Sequence, residues 1–251
     1  GLPQSGLEIA DELEDIITLH DASNVAAVIV EPIAGSAGVI VPPVGYLTRM
    51  REICDKYNVL LIFDEVITAF GRIGDWFAAT AFDVTPDMLN VAKQITNGAI
   101  PLGAVIVKGK IYDAFMDAGG VEYNIELPHG YTYSSHPVAC AAAMASLDIL
   151  EKDGLVDRVK QLSPVFESKV HELKGTAHVT DIRNYGFAAG ITLEPYPGEP
   201  MKRPMEVALT CWEQGFYVRY GGDTLQLGLP FITTEAEMDS VINAIGDALA
   251  N

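Results

Sequence analysis

Two uninterrupted apolar runs, VAAVIV at 25–30 and VLLIF at 59–63, constrain this chain more than any other feature. Between them Tyr46, Leu47, Met50, Ile53, Cys54 and Tyr57 recur at the spacing of one helical face. Strands without alternating polar residues need cover on both faces, and a helix joining two of them is the connection a parallel sheet requires. The fold expected is α/β, a mainly parallel sheet flanked by helices.

The same texture extends on both sides. Ile9, Ala10, Leu13, Ile16 and Ile17 read as a helix before the turn DASN, and MLNV (88–91) and GAVIV (103–107) read as further short strands. HPVACAAAMASLDILEK is a helix with Pro137 in its first turn, where the missing N–H is not needed. After Gly154 the pattern changes to a helix near 155–173, strands near 179–182 and 186–193, the loop EPYPGEP, a helix, two short strands and a last helix. The division expected is a larger unit over residues 1–153 and a smaller α+β unit over 154–251.

The 34 acidic and 16 basic residues give a formal charge of −18, which repels nucleic-acid phosphates and anionic membranes. The apolar runs are far shorter than the ~20 residues of a membrane span. Neither nucleic acid nor membrane is an expected partner. Cys54, Cys140 and Cys211 are widely spaced in apolar, helix-like surroundings, as suits buried thiols in a reducing cytoplasm. The five histidines show no zinc spacing, so no metal site is expected. Residues 1–16 lack a signal-peptide pattern and the first residue is not Met, which suggests a start inside a larger protein.

Several residues could carry chemistry. Asp64 ends the second apolar run, and ligands gather beyond the carboxyl ends of parallel strands; capping of the next turn is the plainer role. Lys93 is the one charged side chain in 88–107. A lysine desolvated there would be a nucleophilic amine able to form an imine, whereas a stem packed on the sheet with its head in water is the bland alternative. HGYTYSSHP places hydroxyls before a helix N-terminus, where a phosphate fits as well as simple capping by Ser134 or Ser135. Arg219 in FYVRYGGD suits a carboxylate, or a surface ion pair. Ser36 in AGSAG resembles a hydrolase elbow only loosely, because Pro32 separates it from the strand. Dinucleotide and Walker A glycine patterns are absent.

Taken in order, IVEPIAGSAGVIVPPVGYL, LLIFDEVITAFGRIG, AKQITNGAIPLGAVI and TYSSHPVACAAA resemble the class III aminotransferases of pyridoxal-phosphate fold type I. FYVRYGGDTLQ and HGYTYSSHP resemble the ω-amino acid:pyruvate branch, which includes β-alanine:pyruvate transaminases. The likeness runs through essentially the whole chain. It implies that residues 1–153 are the C-terminal part of the cofactor domain and 154–251 the small C-terminal domain. It implies pyridoxal 5′-phosphate held by Lys93 as an internal aldimine, with the freed Lys93 amine shuttling the substrate proton. Asp64 would face the pyridine nitrogen and keep it protonated, and Val66 would pack on the ring. Thr132 would reach the cofactor phosphate of a neighbouring subunit, making a dimer with shared sites. Arg219 would receive the carboxylate of pyruvate, and Glu31 of the V-E-P motif has no role assigned.

Three departures from the pattern stand out. The family's first half, with its phosphate-binding turn and ring-stacking aromatic, has no counterpart here, so a companion N-terminal segment is expected to complete the site. Ala69 and Ile73 replace Gly and Thr, and LGLPF replaces a more proline-rich form. Rival readings are an inactive assembly subunit of a split enzyme and a serine hydrolase using Ser36.

Overall fold

The computed structural model describes residues 2–250. A short 3-10 turn, Leu7–Asp11, leads into α1 (Glu12–His20), β1 (Ala27–Val30), α2 (Tyr46–Tyr57), β2 (Leu60–Asp64) and the single turn α3 (Ala78–Ala81). Then come β3 (Met88–Val91), β4 (Ala104–Val107), α4 (Gly109–Ala118) and α5 (Pro137–Lys152). The remaining elements are α6 (Leu155–His171), β5 (Val179–Tyr185), β6 (Ala188–Leu193), α7 (Lys202–Glu213), β7 (Arg219–Gly221), β8 (Thr224–Gly228) and α8 (Glu235–Ala250).

Two four-stranded sheets result. The first has the order β1-β2-β3-β4, with β1, β2 and β3 parallel and β4 antiparallel to β3. The second, β5-β6-β8-β7, is antiparallel throughout. The α/β expectation and its parallel crossover through α2 therefore hold. α2 buries Leu47, Met50 and Cys54 against Leu61 and Phe63 of β2 and Ile53 against Ile17 and Val59, and Asn58 in the left-handed region ends it.

Asp87 sets the register of the first sheet. It is buried; its N–H donates to Leu61 O at 2.7 Å and its carboxylate accepts from Leu61 N–H at 3.0 Å. Arg51 of α2 and Lys110 of α4 each reach the same carboxylate at 2.8 Å, and Lys108 reaches it at 3.3 Å. Burial raises the Asp87 pKa, but the hydrogen bonds from Lys110, Leu61 N–H and Arg51 outweigh it and hold the carboxyl well below the usual range.

Cover is less complete than the apolar runs imply. In β2 only Leu61 and Phe63 are buried, Ile29 of β1 is exposed, and all four residues of β4 are exposed. β1 and β4 are the edges of their sheet, so each lacks a neighbour on one side. Ile9 and Ile16 are exposed for the same want of a partner, while Ala10 and Ile17 are buried. Cys54 and Cys211 are buried, and burial pushes both thiols up, but Cys140 faces outward from α5. α4 was not foreseen; its apolar side chains carry a helical period, yet none is buried.

The second sheet packs against α6, α7 and α8, and its core takes in Phe70, Val91 and Leu150 from the first part of the chain. Thr234 and Glu237 cap α8 reciprocally: Glu237 N–H donates to Thr234 Oγ1 at 3.3 Å and Thr234 N–H to Glu237 Oε2 at 2.7 Å.

Candidate active site

Parallel strands β2 and β3 end on the same edge of the sheet, which gathers the candidate residues there. Asp64, the last residue of β2, lies opposite Asn90. Alternation along β2 puts Leu61 and Phe63 toward α2 and Asp64 on the other face. Asp64 Oδ1 accepts from Val66 N–H at 3.2 Å, the local turn the plainer reading foresaw. Lys93 follows β3 by two residues and turns the chain with φ 48°, a left-handed conformation unusual outside glycine and asparagine. The turn behind it is pinned by Thr96 Oγ1 to Ile100 O at 2.7 Å and by Ser146 Oγ to Gln94 O at 3.2 Å.

Lys93 and Arg219 line one cleft of about 770 Å³, together with Ser36, Ile67, Thr68, Arg72 and Gln226. Arg219 opens β7 directly opposite Gln226 of β8, so their side chains share a face. Lys93 is exposed, the plainer of the two alternatives its surroundings in sequence left open. The neighbouring strand β4 is an open edge, so nothing among the described residues seals that side. Asp64 and Val66 do not line the cleft; Ile67 and Thr68 of the same loop do. Thr132 is apart from it, on the exposed stretch between α4 and α5. There Ser134 Oγ accepts from Tyr131 N–H at 2.9 Å and closes a turn, while α5 has no side-chain cap.

The loop after β1 is the other wall. Glu31 accepts from Gly35 N–H at 3.1 Å, which supplies a role the motif alone did not. Gln226 donates to Ser36 O at 3.1 Å and Arg183 to Gly38 O at 2.8 Å, binding this loop to the second sheet. Gly38 has φ 115°, and a Cβ there would lie 2.7 Å from Arg183 Nη2, so glycine is required. Among the described residues no histidine lines the cleft with Ser36, and His171 and His178 bond elsewhere, to Asn184 and Glu194.

Arg72, missed in the sequence, carries the third wall across to the second sheet. Its guanidinium donates to Phe187 O and Leu229 O and stacks over Phe231 at 4.8 Å. Burial lowers its pKa to about 10. Ala69, whose added Cβ would cost energy only at positive φ, is not at one; Phe70 and Gly71 are. Ile73 is buried beneath the β5–β6 turn.

The donor set suits a carbonyl-bearing pyridine cofactor. It offers an amine at the cleft, a carboxylate at the adjacent strand end and an aliphatic side chain two residues on. The cleft also carries an arginine for an acid. Among the described residues no group of His, Cys, Asp and Glu could hold a metal ion.

The family described as Aminotransferase class-III matches residues 3–249. The chain is 58% identical over 250 residues to a β-alanine–pyruvate aminotransferase of Pseudomonas aeruginosa, covering 99% of this chain and 56% of that protein. It is 54% identical to an ω-amino acid–pyruvate aminotransferase of Pseudomonas putida, with the same coverage. Among solved structures, an amine transaminase from an uncultivated Pseudomonas species, in a PLP-bound form, superposes with a TM-score of 0.89 at 36% identity. That match covers 96% of this chain and 55% of the solved one. The chain thus spans just over half the length of the curated relatives it matches, and with a family match running from residue 3 to residue 249 it belongs to the class III aminotransferases.

Proposed function

We propose that this chain is the lysine-bearing part of a pyridoxal 5′-phosphate-dependent aminotransferase that moves an amino group from an ω-amino acid or amine, such as β-alanine, to pyruvate. The observation that carries the reading is that Lys93 and Arg219, from different sheets, line one cleft beside the strand end bearing Asp64. The names of the relatives support the donor and acceptor classes.

When bound, the cofactor supplies an electron-withdrawing ring that stabilises negative charge on the donor carbon. Lys93 Nζ is the group that would hold the cofactor and, once freed, would take the proton from the donor carbon as a base and give it back as an acid at the cofactor carbon. Asp64 would hold the pyridine nitrogen in its charged form, and Val66 would bear on the ring. Arg219 orients the acceptor by paired hydrogen bonds to its carboxylate. Thr132, exposed and outside this cleft, is assigned to the phosphate in a second subunit's site.

The rest of the site comes from outside this chain. Val105, Ile106, Tyr112 and Phe115 form an exposed apolar surface on β4 and α4 beside an open sheet edge, the kind of surface that protein covers. We assign its cover to an upstream segment of the longer polypeptide and to a second subunit. The working division is 1–153 for the cofactor unit and 154–251 for the small unit, with left-handed Gly154 at the junction. The buried free thiols of Cys54 and Cys211 support a reducing, cytoplasmic setting.

The test is turnover. The polypeptide extended to its relatives' length, given cofactor, β-alanine and pyruvate, forms alanine, and the Lys93→Ala variant does not. An inactive assembly subunit would give no turnover in either.

A further inference from the structure

Glu65 directly follows Asp64, is fully buried, and has no cationic partner among the described residues. Its carboxylate instead receives three donors: Ala78 N–H at 2.6 Å and Thr68 Oγ1 at 3.1 Å on Oε2, and Ala79 N–H at 2.9 Å on Oε1. Its backbone N–H donates to Asn90 O at 2.9 Å, and its carbonyl accepts from Ala69 N–H at 3.0 Å. One residue thus ties the end of β2 to the end of β3, and both to the loop that runs from Val66 to Phe77.

A buried carboxylate without a counter-ion is costly, so its retention calls for a reason. Among side chains of this length only a carboxylate offers two oxygen acceptors and no donor. Glutamine would set its NH₂ against at least one of the converging donors. Glu65 is sealed from the cleft, whose wall includes Ile67 and Thr68 of the loop it anchors, so it has no access to substrate.

We propose that Glu65 is a positioning residue, holding Asp64 and the Ile67–Thr68 wall in their working places through its three hydrogen bonds. This rests on the functional reading above, in which Asp64 faces the cofactor's pyridine nitrogen.

The experiment uses the full-length polypeptide loaded with pyridoxal phosphate. It compares Glu65→Gln with Val170→Ala, a variant destabilised in the core under α6 and outside the cleft lining. Glu65→Gln lowers kcat by about 10–100-fold, keeps the pyruvate KM within about twofold, and moves the pH midpoint of the cofactor's visible absorption by at least about half a unit. Val170→Ala lowers thermal stability and leaves that midpoint in place. Thr68→Ala, which removes one donor and keeps the carboxylate, shifts kcat and midpoint in the same direction by less. The proposal is overturned if Glu65→Gln loses only stability, as Val170→Ala does. Should Glu65→Gln not fold, Thr68→Ala with wild-type kcat and midpoint overturns it equally. A wild-type protein with no cofactor absorption would overturn the functional reading itself, whereas a normal wild-type band with an unshifted Glu65→Gln removes only the role given to Glu65.

Discussion

Asp64 stands opposite Asn90 across the β2–β3 ladder, and the chain that continues from Asn90 reaches Lys93 three residues later. The parallel pairing brings a carboxylate and an amine from distant parts of the sequence to one sheet edge. The buried Asp87 fixes that pairing by bonding both backbone groups of Leu61.

Replacing Asp87 tests this foundation. Asp87→Ala takes the buried acceptor away from Arg51, Lys108, Lys110 and Leu61 N–H, leaving Arg51 with the exposed Asp55, and costs about 3–5 kcal/mol, the range for breaking a buried pair. The carboxyl's folded pKa lies below its unfolded value of 3.8. Its stabilisation is therefore complete above the unfolded value and is lost as pH falls further toward the folded one. Thermal midpoints of wild type and Asp87→Asn measured across pH converge below about pH 4 and stay apart above it.

Arg219→Gln separates acceptor binding from cofactor binding. Hydrogen bonds to a charged group contribute about 1.5–3 kcal/mol, so the pyruvate KM rises roughly 10–100-fold. Half-reactions with amine donors that lack a carboxylate keep their rate. Steady-state and single-turnover kinetics on the full-length protein make the comparison.

Gly186→Ala tests how the first part of the chain meets the second sheet. Gly186 has φ 57°, and a Cβ there would sit 2.4 Å from Ile73 Cα, a backbone atom with no room to yield. The expected loss is at least about 2 kcal/mol, combining left-handed strain with overpacking. Gly198→Ala, at φ 78° with open space around it, incurs the conformational term alone, about 1 kcal/mol. Chemical denaturation of the two variants side by side gives the difference.

The fold was readable from short-range pattern because the β1-α2-β2 unit is periodic and Pro137 follows a local rule. What escaped the sequence depends on partners far along the chain. Arg72 finds carbonyls more than a hundred residues away, Gln226 reaches Ser36, and Glu65 meets Ala78 and Ala79 only once the loop closes. Lys93 left two readings open. Its neighbours in sequence are apolar, yet the open edge beyond β4 leaves it exposed, because burial is a property of what packs alongside. The motif resemblance singled out Asp64, Lys93 and Arg219, of which Lys93 and Arg219 line one cleft and Asp64 lies outside its lining.

The decisive measurement is borohydride reduction of the protein extended to its relatives' length and loaded with pyridoxal phosphate, followed by peptide mapping. A phosphopyridoxyl group on Lys93, absent from Lys93→Ala, is the predicted result. A stable reduced adduct at another lysine, or none on any peptide, would contradict the role given to Lys93 and with it the proposed aminotransferase chemistry.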